Sequence, residues 1–342
     1  MDDNMMRLYR LRIVNKKRVL SLESGPIPKP GPKEILVLIK AVSLNYRDLM
    51  IHDGLIFATD GLIPLSDAAG IVCETGKAVK RWKAGDRVAS LFFPDWLDGA
   101  YDRNYGANAL GGNTQNGVLS EYVVFPENSV IGIGHELSFA RAAALPCAAL
   151  TAWQAMFVRT RIVPDERVLI QGTGGVALSA LQFANAAGAS VIILSSQDDK
   201  LEKAKNLGAT HTINYINIPH WDKEIARVTN GKGVSFILEN GGPGTFDRSL
   251  NALSTGGRIA QIGVLTGFGP SSNLMQLQNK NADILGITVG SAYHFMEMLK
   301  FISDYKISPV LDKVFSFENT QLAYEYLRSR AHFGKVIINV HS

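Results

Sequence analysis

Two rhythms of apolar residues divide the chain. In the first, short β-rich runs stand between turn residues: ILVLIKAV at 35–42 follows the turn PKPGPKE, and 70–72, 87–92 and 119–124 repeat the pattern. These runs predict an irregular β domain of about 120 residues. From Ala140 the period lengthens. ALPCAALTAWQAMF at 144–157 reads as helix, and from 167 onward strands and helices alternate. Strands are expected at 167–170, 191–194, 211–213, 234–238, 258–262 and 284–289, and helices at 176–187, 200–207, 221–229 and 245–252. That alternation predicts an α/β fold with a doubly wound parallel sheet. A tail follows with helices at 293–304 and 320–328 and a strand at 335–340, expected to return and complete the first domain.

Between the strand VLI and the next helix stands Gly172-Thr173-Gly174-Gly175-Val176-Ala177, which fits G-x-G-x-x-G/A with Ala in the last place. The first Gly permits a tight turn, and the second lets backbone approach a pyrophosphate. The small Ala177 lets helix and strand pack closely, with the anion at the helix N-terminus. A methyltransferase or a structural Gly turn shares parts of this pattern, but strand, turn and helix in a βαβ run favour a dinucleotide. About 20 residues on, an NAD-type site places Asp or Glu on the ribose 2′-hydroxyl. Ser195 and Ser196 stand there instead, with Lys200 one turn later. Hydroxyls and an ammonium suit a 2′-phosphate, which a carboxylate would repel, so NADP(H) is the expected cofactor. The alternative is that the serines merely end a strand, Lys200 is solvated, or Asp198 swings back.

Length, charge and cysteines narrow the classes. At 342 residues the chain suits two domains. Its apolar runs are too short to span a bilayer, and the opening MDDNMMRLYRLR has no apolar leader core. A cytoplasmic protein without membrane partners is expected. A net charge of +4 with no basic run beyond Lys16-Lys17-Arg18 lends nothing to nucleic-acid binding. Two cysteines, Cys73 and Cys147, make neither a disulfide framework nor a four-cysteine zinc site.

The chain resembles the medium-chain dehydrogenase/reductase superfamily, and within it the zinc-free, quinone-oxidoreductase-like branch, often labelled zinc-type alcohol dehydrogenase-like. The resemblance runs over nearly the whole length: PKPGPKEILVLIKAVSLNYRDLM (28–50), KAGDRV (83–88), AAALPCAALTAW (142–153), the fingerprint, KLEKAKNLGATHTINY (200–215), ENGGPGT (239–245), VGS (289–291) and HFGKVII (332–338). It implies a GroES-like irregular β-barrel catalytic domain at 1–148, completed by 290–342, and a Rossmann NADP(H)-binding domain at 149–289. A homodimer is the implied assembly. For the cofactor it implies Thr151 near the nicotinamide, Gly174, Gly175 and Val176 at the pyrophosphate, and Ser196, Lys200 and Tyr215 at the 2′-phosphate. Asn240, Gly263 and Val264 fall along the ribose and nicotinamide, and Val289, Gly290 and Ser291 at the carboxamide edge. Where zinc-binding members place ligands, this chain has Asn45, Leu65-Ser66-Asp67 and Cys147. One good ligand does not hold a zinc, which takes about three protein ligands at a catalytic site. No metal is therefore expected, and Cys147 is read as a small packed residue.

Without a Lewis acid, a conjugated acceptor that spreads its own developing charge is the better partner for a nicotinamide hydride. The expected activity is NADPH-dependent, zinc-independent reduction of a quinone or an α,β-unsaturated carbonyl. The candidate catalytic residues are Asn45, whose amide can donate to a substrate oxygen or a ribose hydroxyl, Tyr46, a proton or hydrogen-bond donor, and Asp48. Tyr46 reads equally as a packed aromatic, and Asp48 as a structural partner of the loop or of Arg47. Segment 93–116, with Trp96, Tyr101 and Tyr105, reads either as a substrate lid or as a surface loop. Two other readings remain open: an NADP-dependent alcohol/aldehyde dehydrogenase or secondary-metabolism enoyl reductase, and a non-catalytic NADPH-binding protein. Multiple turnover separates the last from the others.

Overall fold

The computed structural model describes residues 4–269 and 274–341. They form two compact units, Met1–Leu150 with Val289–Ser342, and Thr151–Thr288.

The first unit opens with a hairpin, β1 (Met5–Val14) and β2 (Lys17–Pro26), paired antiparallel from Met5↔Pro26 to Val14↔Lys17. Its two-residue turn puts Asn15 and Lys16 at φ +50° and +63°, the left-handed region that a two-residue hairpin of this twist requires. No Gly marks that turn, so the alternation beneath it gives little warning of two strands. Next come β3 (Glu34–Ser43), α1 (Tyr46–His52), β4 (Asp67–Thr75), β5 (Arg87–Ser90), α2 (Arg103–Ala107), β6 (Tyr122–Pro126), β7 (Val130–Gly132) and α3 (Phe139–Ala143). Pattern alone sets the sixth strand at 119–124, but residues 119–121 instead bond to β1: Tyr9 N–H donates to the Leu119 carbonyl, and Glu121 N–H to that of Arg7.

The expected helix at 144–157 is not regular. Two π-helical turns, Leu145–Ala149 and Gln154–Val158, flank α4 (Leu150–Trp153). Pro146 carries no N–H, so an ordinary α-helical ladder cannot run unbroken through the first of them.

In the second unit, β8 (Arg167–Gln171), α5 (Gly175–Ala186), β9 (Ser190–Ser195), α6 (Asp198–Asn206), β10 (His211–Asn214), α7 (Trp221–Val228), β11 (Val234–Glu239), α8 (Pro243–Ala252), β12 (Leu253–Gln261), α9 (Leu274–Asn279) and β13 (Asp283–Gly286) alternate, with α9 an element the pattern does not predict and the last strand ending at Gly286 instead of 289. The six strands form one parallel sheet in the order β10-β9-β8-β11-β12-β13, the doubly wound Rossmann arrangement. Leu169, Ile192, Ile213, Ile237 and Ile259 fill its core against Trp221, Ile225, Phe246 and Leu250. Each such side chain contributes about 1.5–3 kcal/mol when fully buried.

The tail returns to the first unit as α10 (Ala292–Asp304), β14 (Leu311–Ser316), α11 (Thr320–Arg328) and β15 (Lys335–Asn339). β15 pairs antiparallel with β3 and parallel with β14, giving a sheet ordered β14-β15-β3-β4-β5-β7 with β6 also on β3. Its core runs through Ile35, Val37, Ile39, Val42, Val336 and Ile338. The pairing Ile337↔Ser43 brings Lys335 to the end of β3, where the chain turns into α1. Among the described residues no helix is long and apolar enough to cross a membrane.

Candidate functional site

Ligands of doubly wound sheets bind beyond the carboxyl ends of the strands, where helix N-termini present free amides. At the end of β8, Gly172 takes φ +83° and its N–H donates to the Leu194 carbonyl at 2.8 Å. Buried Thr173 follows, then Gly174 in extended conformation as the N-cap of α5, with no side chain capping the helix. Gly174 has no side chain to cap the first-turn amides, which include those of Gly175 and Val176. Such an arrangement fits a pyrophosphate, whose charge the helix dipole favours.

The turn is held from below by residues that motif reading alone does not single out. Gln171 Oε1 accepts from Asn240 N–H (3.2 Å) and Gly241 N–H (2.9 Å), while Asn240 Nδ2 donates to the Gln171 carbonyl at 2.9 Å. Glu239 is fully buried and accepts from Gln171 Nε2 (2.6 Å), Gly241 N–H (2.9 Å), Gly242 N–H (3.0 Å), Thr245 Oγ1 (2.6 Å) and Ser249 Oγ. The ends of β8 and β11 are thus locked together. Gly263 comes so close that a Cβ would lie 2.1 Å from the Asn240 carbonyl oxygen, so the Asn240, Gly263 and Val264 segments form one wall. The signal for Glu239 is its place ahead of a Gly-Gly pair, which leaves backbone amides free to donate.

At the end of β9, Ser195 is buried and Ser196 exposed. Tyr215 N–H donates to the Ser195 carbonyl at 3.1 Å, which brings exposed Tyr215 beside the serines. Lys200, only 5% exposed, is buried and not solvated. Asp198 is tied down by Asn214 Nδ2 at 2.7 Å, across to β10. The structure therefore brings Ser195, Ser196 and Tyr215 together at one edge. Thr151 is buried within α4.

In the first unit, Asn45, Asp48, Asp67, Cys147 and Lys335 gather although they are spread from position 45 to 335. Asn45 caps α1: its N–H donates to Asp48 Oδ2 at 2.7 Å. Lys335, 5% exposed, donates from Nζ to Asn45 Oδ1 (2.5 Å) and to the Leu44 carbonyl (2.7 Å), and lies 3.8 Å from Asp67 Oδ2. Asp67, fully buried, accepts Cys147 N–H at 3.1 Å on Oδ2 and Ser66 Oγ at 2.6 Å on Oδ1. Asn45 Nδ2 is buried; it faces Asp67 closely enough to favour that carboxylate's charged form, yet completes no hydrogen bond.

Burial dominates the ionisation of this cluster. It raises the Asp67 carboxyl against the pull of Lys335, and lifts Asp48 to about 6 against the field of Arg47 and the Asn45 N–H. Cys147 is only partly buried as a residue, but its thiol faces the cluster, and burial followed by the Asp67 charge pushes its pKa well up. One Asp48 oxygen accepts the Asn45 N–H at the start of α1, and the other is buried without a hydrogen-bond partner among the described residues. Arg47 Nη1 binds the Leu110 carbonyl at 2.9 Å, and its guanidinium lies 4.8 Å over the Phe92 ring. Tyr46 is 36% exposed at the start of α1.

Segment 93–116 is not an open stacking surface. Trp96 is buried, stacked on Tyr105 at 5.8 Å and edge-on to Tyr101 and His294. The α10 amides of Ala292 and Tyr293 donate to the carbonyls of Trp96 and Leu97. Just before α10, Val289 and Ser291 are buried, and a Cβ on Gly290 would sit 2.9 Å from Leu150 Cγ. The Ser291 hydroxyl caps α10 by accepting His294 N–H at 3.2 Å.

These residues do not fit a zinc ion. The Asn45 and Asp67 oxygens already face an ammonium, the Ser66 hydroxyl is spent on Asp67, and the Cys147 thiol resists ionisation although a thiolate is what a metal binds. Among the described residues no three His, Cys, Asp or Glu side chains gather as a metal site.

Two family models match. One, described as an alcohol dehydrogenase GroES-like domain, covers residues 31–135; the other, described as a zinc-binding dehydrogenase, covers 175–304. A zinc-type alcohol dehydrogenase-like protein of Schizosaccharomyces pombe is 44% identical over 330 residues, 94% of this chain and 95% of that protein. A crystal structure of an NAD-dependent alcohol dehydrogenase superposes with a TM-score of 0.89 at 32% identity, covering 98% of this chain and all of the other. An NADPH-dependent alkenal/one oxidoreductase of Arabidopsis thaliana chloroplasts is 29% identical over 94% of this chain and 76% of its own length.

Proposed function

Because the chain belongs to the medium-chain dehydrogenase/reductase superfamily, whose members are nicotinamide-dependent oxidoreductases, we propose that it is an NADPH-dependent, zinc-independent reductase of quinones or α,β-unsaturated carbonyls. The observation that carries this reading is the cluster at Asn45, Asp67 and Cys147, where an ammonium stands among the residues that would have to ligate a metal. With no Lewis acid to polarise a simple ketone, the acceptor has to disperse the incoming charge itself. Enones and quinones do so through conjugation.

Relatives include both an NAD-dependent and an NADPH-dependent protein, so the cofactor choice rests on this chain's own residues. Ser195, Ser196 and Tyr215 gather at the end of β9, and Lys200 stands at the start of α6; Asp198, a carboxylate in the same first turn, is held by Asn214. That edge favours a 2′-phosphate.

Bound NADPH supplies a hydride. The chain's part is to hold the pyrophosphate on the α5 N-terminus and to offer the Asn45 amide to the substrate oxygen on which charge develops. With the cofactor bound, an enone would take the hydride at its β-carbon and its electron pair on the oxygen beside Asn45, with water or Tyr46 giving the proton; a quinone would take one hydride and one proton to become the hydroquinone. β13 ends the parallel sheet, with Ile284 exposed, and pairing this edge across a two-fold would extend the sheet in a homodimer. Sedimentation at micromolar concentration reads that assembly.

The test is NADPH consumption against a panel of enones, quinones and simple aldehydes. Sustained turnover with the conjugated acceptors and little with aldehydes supports the proposal. Preferential turnover of aldehydes or simple alcohols would replace it with a dehydrogenase reading, and NADPH binding without turnover would favour a non-catalytic binder.

A further inference from the structure

Lys335 plays no part in the motif reading of the site, yet among the described residues it is the cation bonded directly to the candidate catalytic amide. It sits on β15, 290 positions from Asn45, and its ammonium is buried with all of its reach committed: the Leu44 carbonyl, Asn45 Oδ1 and the Asp67 carboxylate. An ammonium is donor-only, so the amide atom beside it has to be oxygen. This contact therefore fixes which end of the Asn45 amide points the other way. That end, Nδ2, is buried beside Asp67 without completing a hydrogen bond to it, so of its two N–H groups at least one has no acceptor among the described residues. Buried donors are rarely left so unless a ligand or an ordered water takes them.

We propose that Lys335 is a positioning residue that supplies the charge a metal would bring: its ammonium holds the Asn45 amide by the oxygen, polarises it, and leaves the Nδ2 N–H that is turned from Asp67 for the substrate oxygen. A hydrogen bond accepted at the amide oxygen from a cation draws electron density away from nitrogen and strengthens the outward N–H as a donor, as linked hydrogen bonds do in a low-dielectric interior. Lys335 does not touch the substrate. Asp67 keeps the ammonium in place, and the Cys147 N–H and Ser66 hydroxyl keep Asp67 in place. The group that delivers positive character to the substrate is thus the end of a chain of five residues, Cys147 and Ser66 to Asp67, Asp67 to Lys335, and Lys335 to Asn45.

The inference rests on the reductase reading for its place in catalysis, but it is tested without turnover. The probe is 4-nitrophenol, whose oxyanion mimics the charge that develops on a substrate oxygen; its phenolate is followed by visible absorbance in the presence of NADP⁺. In the wild-type protein the bound phenol should ionise at a lower pH than the free one, by about one pH unit. Lys335→Met should abolish most of that shift, Lys335→Arg should recover much of it, and Asn45→Asp, which keeps an oxygen for Lys335 but removes the donor, should abolish it. In turnover assays Lys335→Met should lower kcat about tenfold or more with the NADPH KM unchanged. Because Asp67 is left without its cation in Lys335→Met, thermal melts of all three variants establish that each is folded. A folded Lys335→Met protein with the wild-type phenol shift, or a wild-type protein that shows no shift, overturns the proposal. Absence of NADPH turnover with the phenol shift intact would remove the reductase reading and leave the charge relay standing.

Discussion

Glu239 and Asp67 are both carboxylates with no exposure to solvent, and the two units satisfy them in opposite ways. Glu239 is surrounded by neutral donors, five in all, from Gln171, Gly241, Gly242, Thr245 and Ser249. Asp67 has two such donors and an ammonium. A carboxylate ringed by fixed dipoles ties several backbone segments into one rigid edge, which suits a scaffold for a cofactor that binds by shape and phosphate charge. A carboxylate paired with a lysine anchors a buried cation, and that cation also bonds a second group, here Asn45. The first arrangement stabilises a surface; the second makes an electrostatic tool.

The largest effect that would sharpen this contrast is at the tool. Asn45→Asp should lower kcat about a hundredfold, as loss of an oxyanion donor does, while NADPH affinity measured by fluorescence titration stays within about twofold. A comparable loss in both would mean that Asn45 holds the cofactor and not the acceptor. On the scaffold side, Glu239→Ala removes the acceptor that five donors share, although the Gly241 N–H, the Thr245 hydroxyl and Gln171 Nε2 keep a second one, and should cost about 3 kcal/mol of stability in urea or thermal unfolding.

The pH dependence separates a third carboxylate from these two. Asp48 is raised from an ordinary 3.8 to about 6 by burial. Between those values the folded chain holds a proton that the unfolded chain has released. Stability from this group is therefore lost as pH rises through the window, by at most about 3 kcal/mol above it. Asp48→Asn still accepts the Asn45 N–H, so it should be more stable than wild type at pH 7.5, with the advantage shrinking as pH falls towards 4. Melting curves of both proteins across that range check the sign. The smallest effect is at the cofactor's ribose end, where Lys200→Ala should weaken NADPH about tenfold and leave NADH unchanged. Equal losses for the two would remove Lys200 from the 2′-phosphate.

The two regions also differ in how legible each is in the amino-acid sequence. The Gly172 turn, the capless α5 N-terminus and the serines after β9 are local: consecutive residues whose backbone conformation is the chemistry. The alternation of strands and helices in the second unit is legible for the same reason, since each element carries its own period. The polar cluster is not local. Lys335 reads only as the start of a strand until β15 pairs with β3 and delivers it to Asn45, and Glu239 reads only as a motif letter until the Gly241 and Gly242 amides close on it. Aromatic content at 93–116 likewise leaves open whether Trp96, Tyr101 and Tyr105 face a ligand or one another. They pack together, because Trp96 buries a large apolar surface against its neighbours and bonds its Nε1 to the Gly99 carbonyl at 3.1 Å.

The proposed role of the Lys335 charge, in place of a metal, predicts turnover without zinc. The most direct test is turnover of NADPH with a conjugated enone by one preparation, measured after exhaustive chelation and again after zinc is restored, with metal content determined in both states. Equal rates and no stoichiometric zinc in either state are the expected result. A rate that collapses on chelation and returns with one zinc per chain would contradict it.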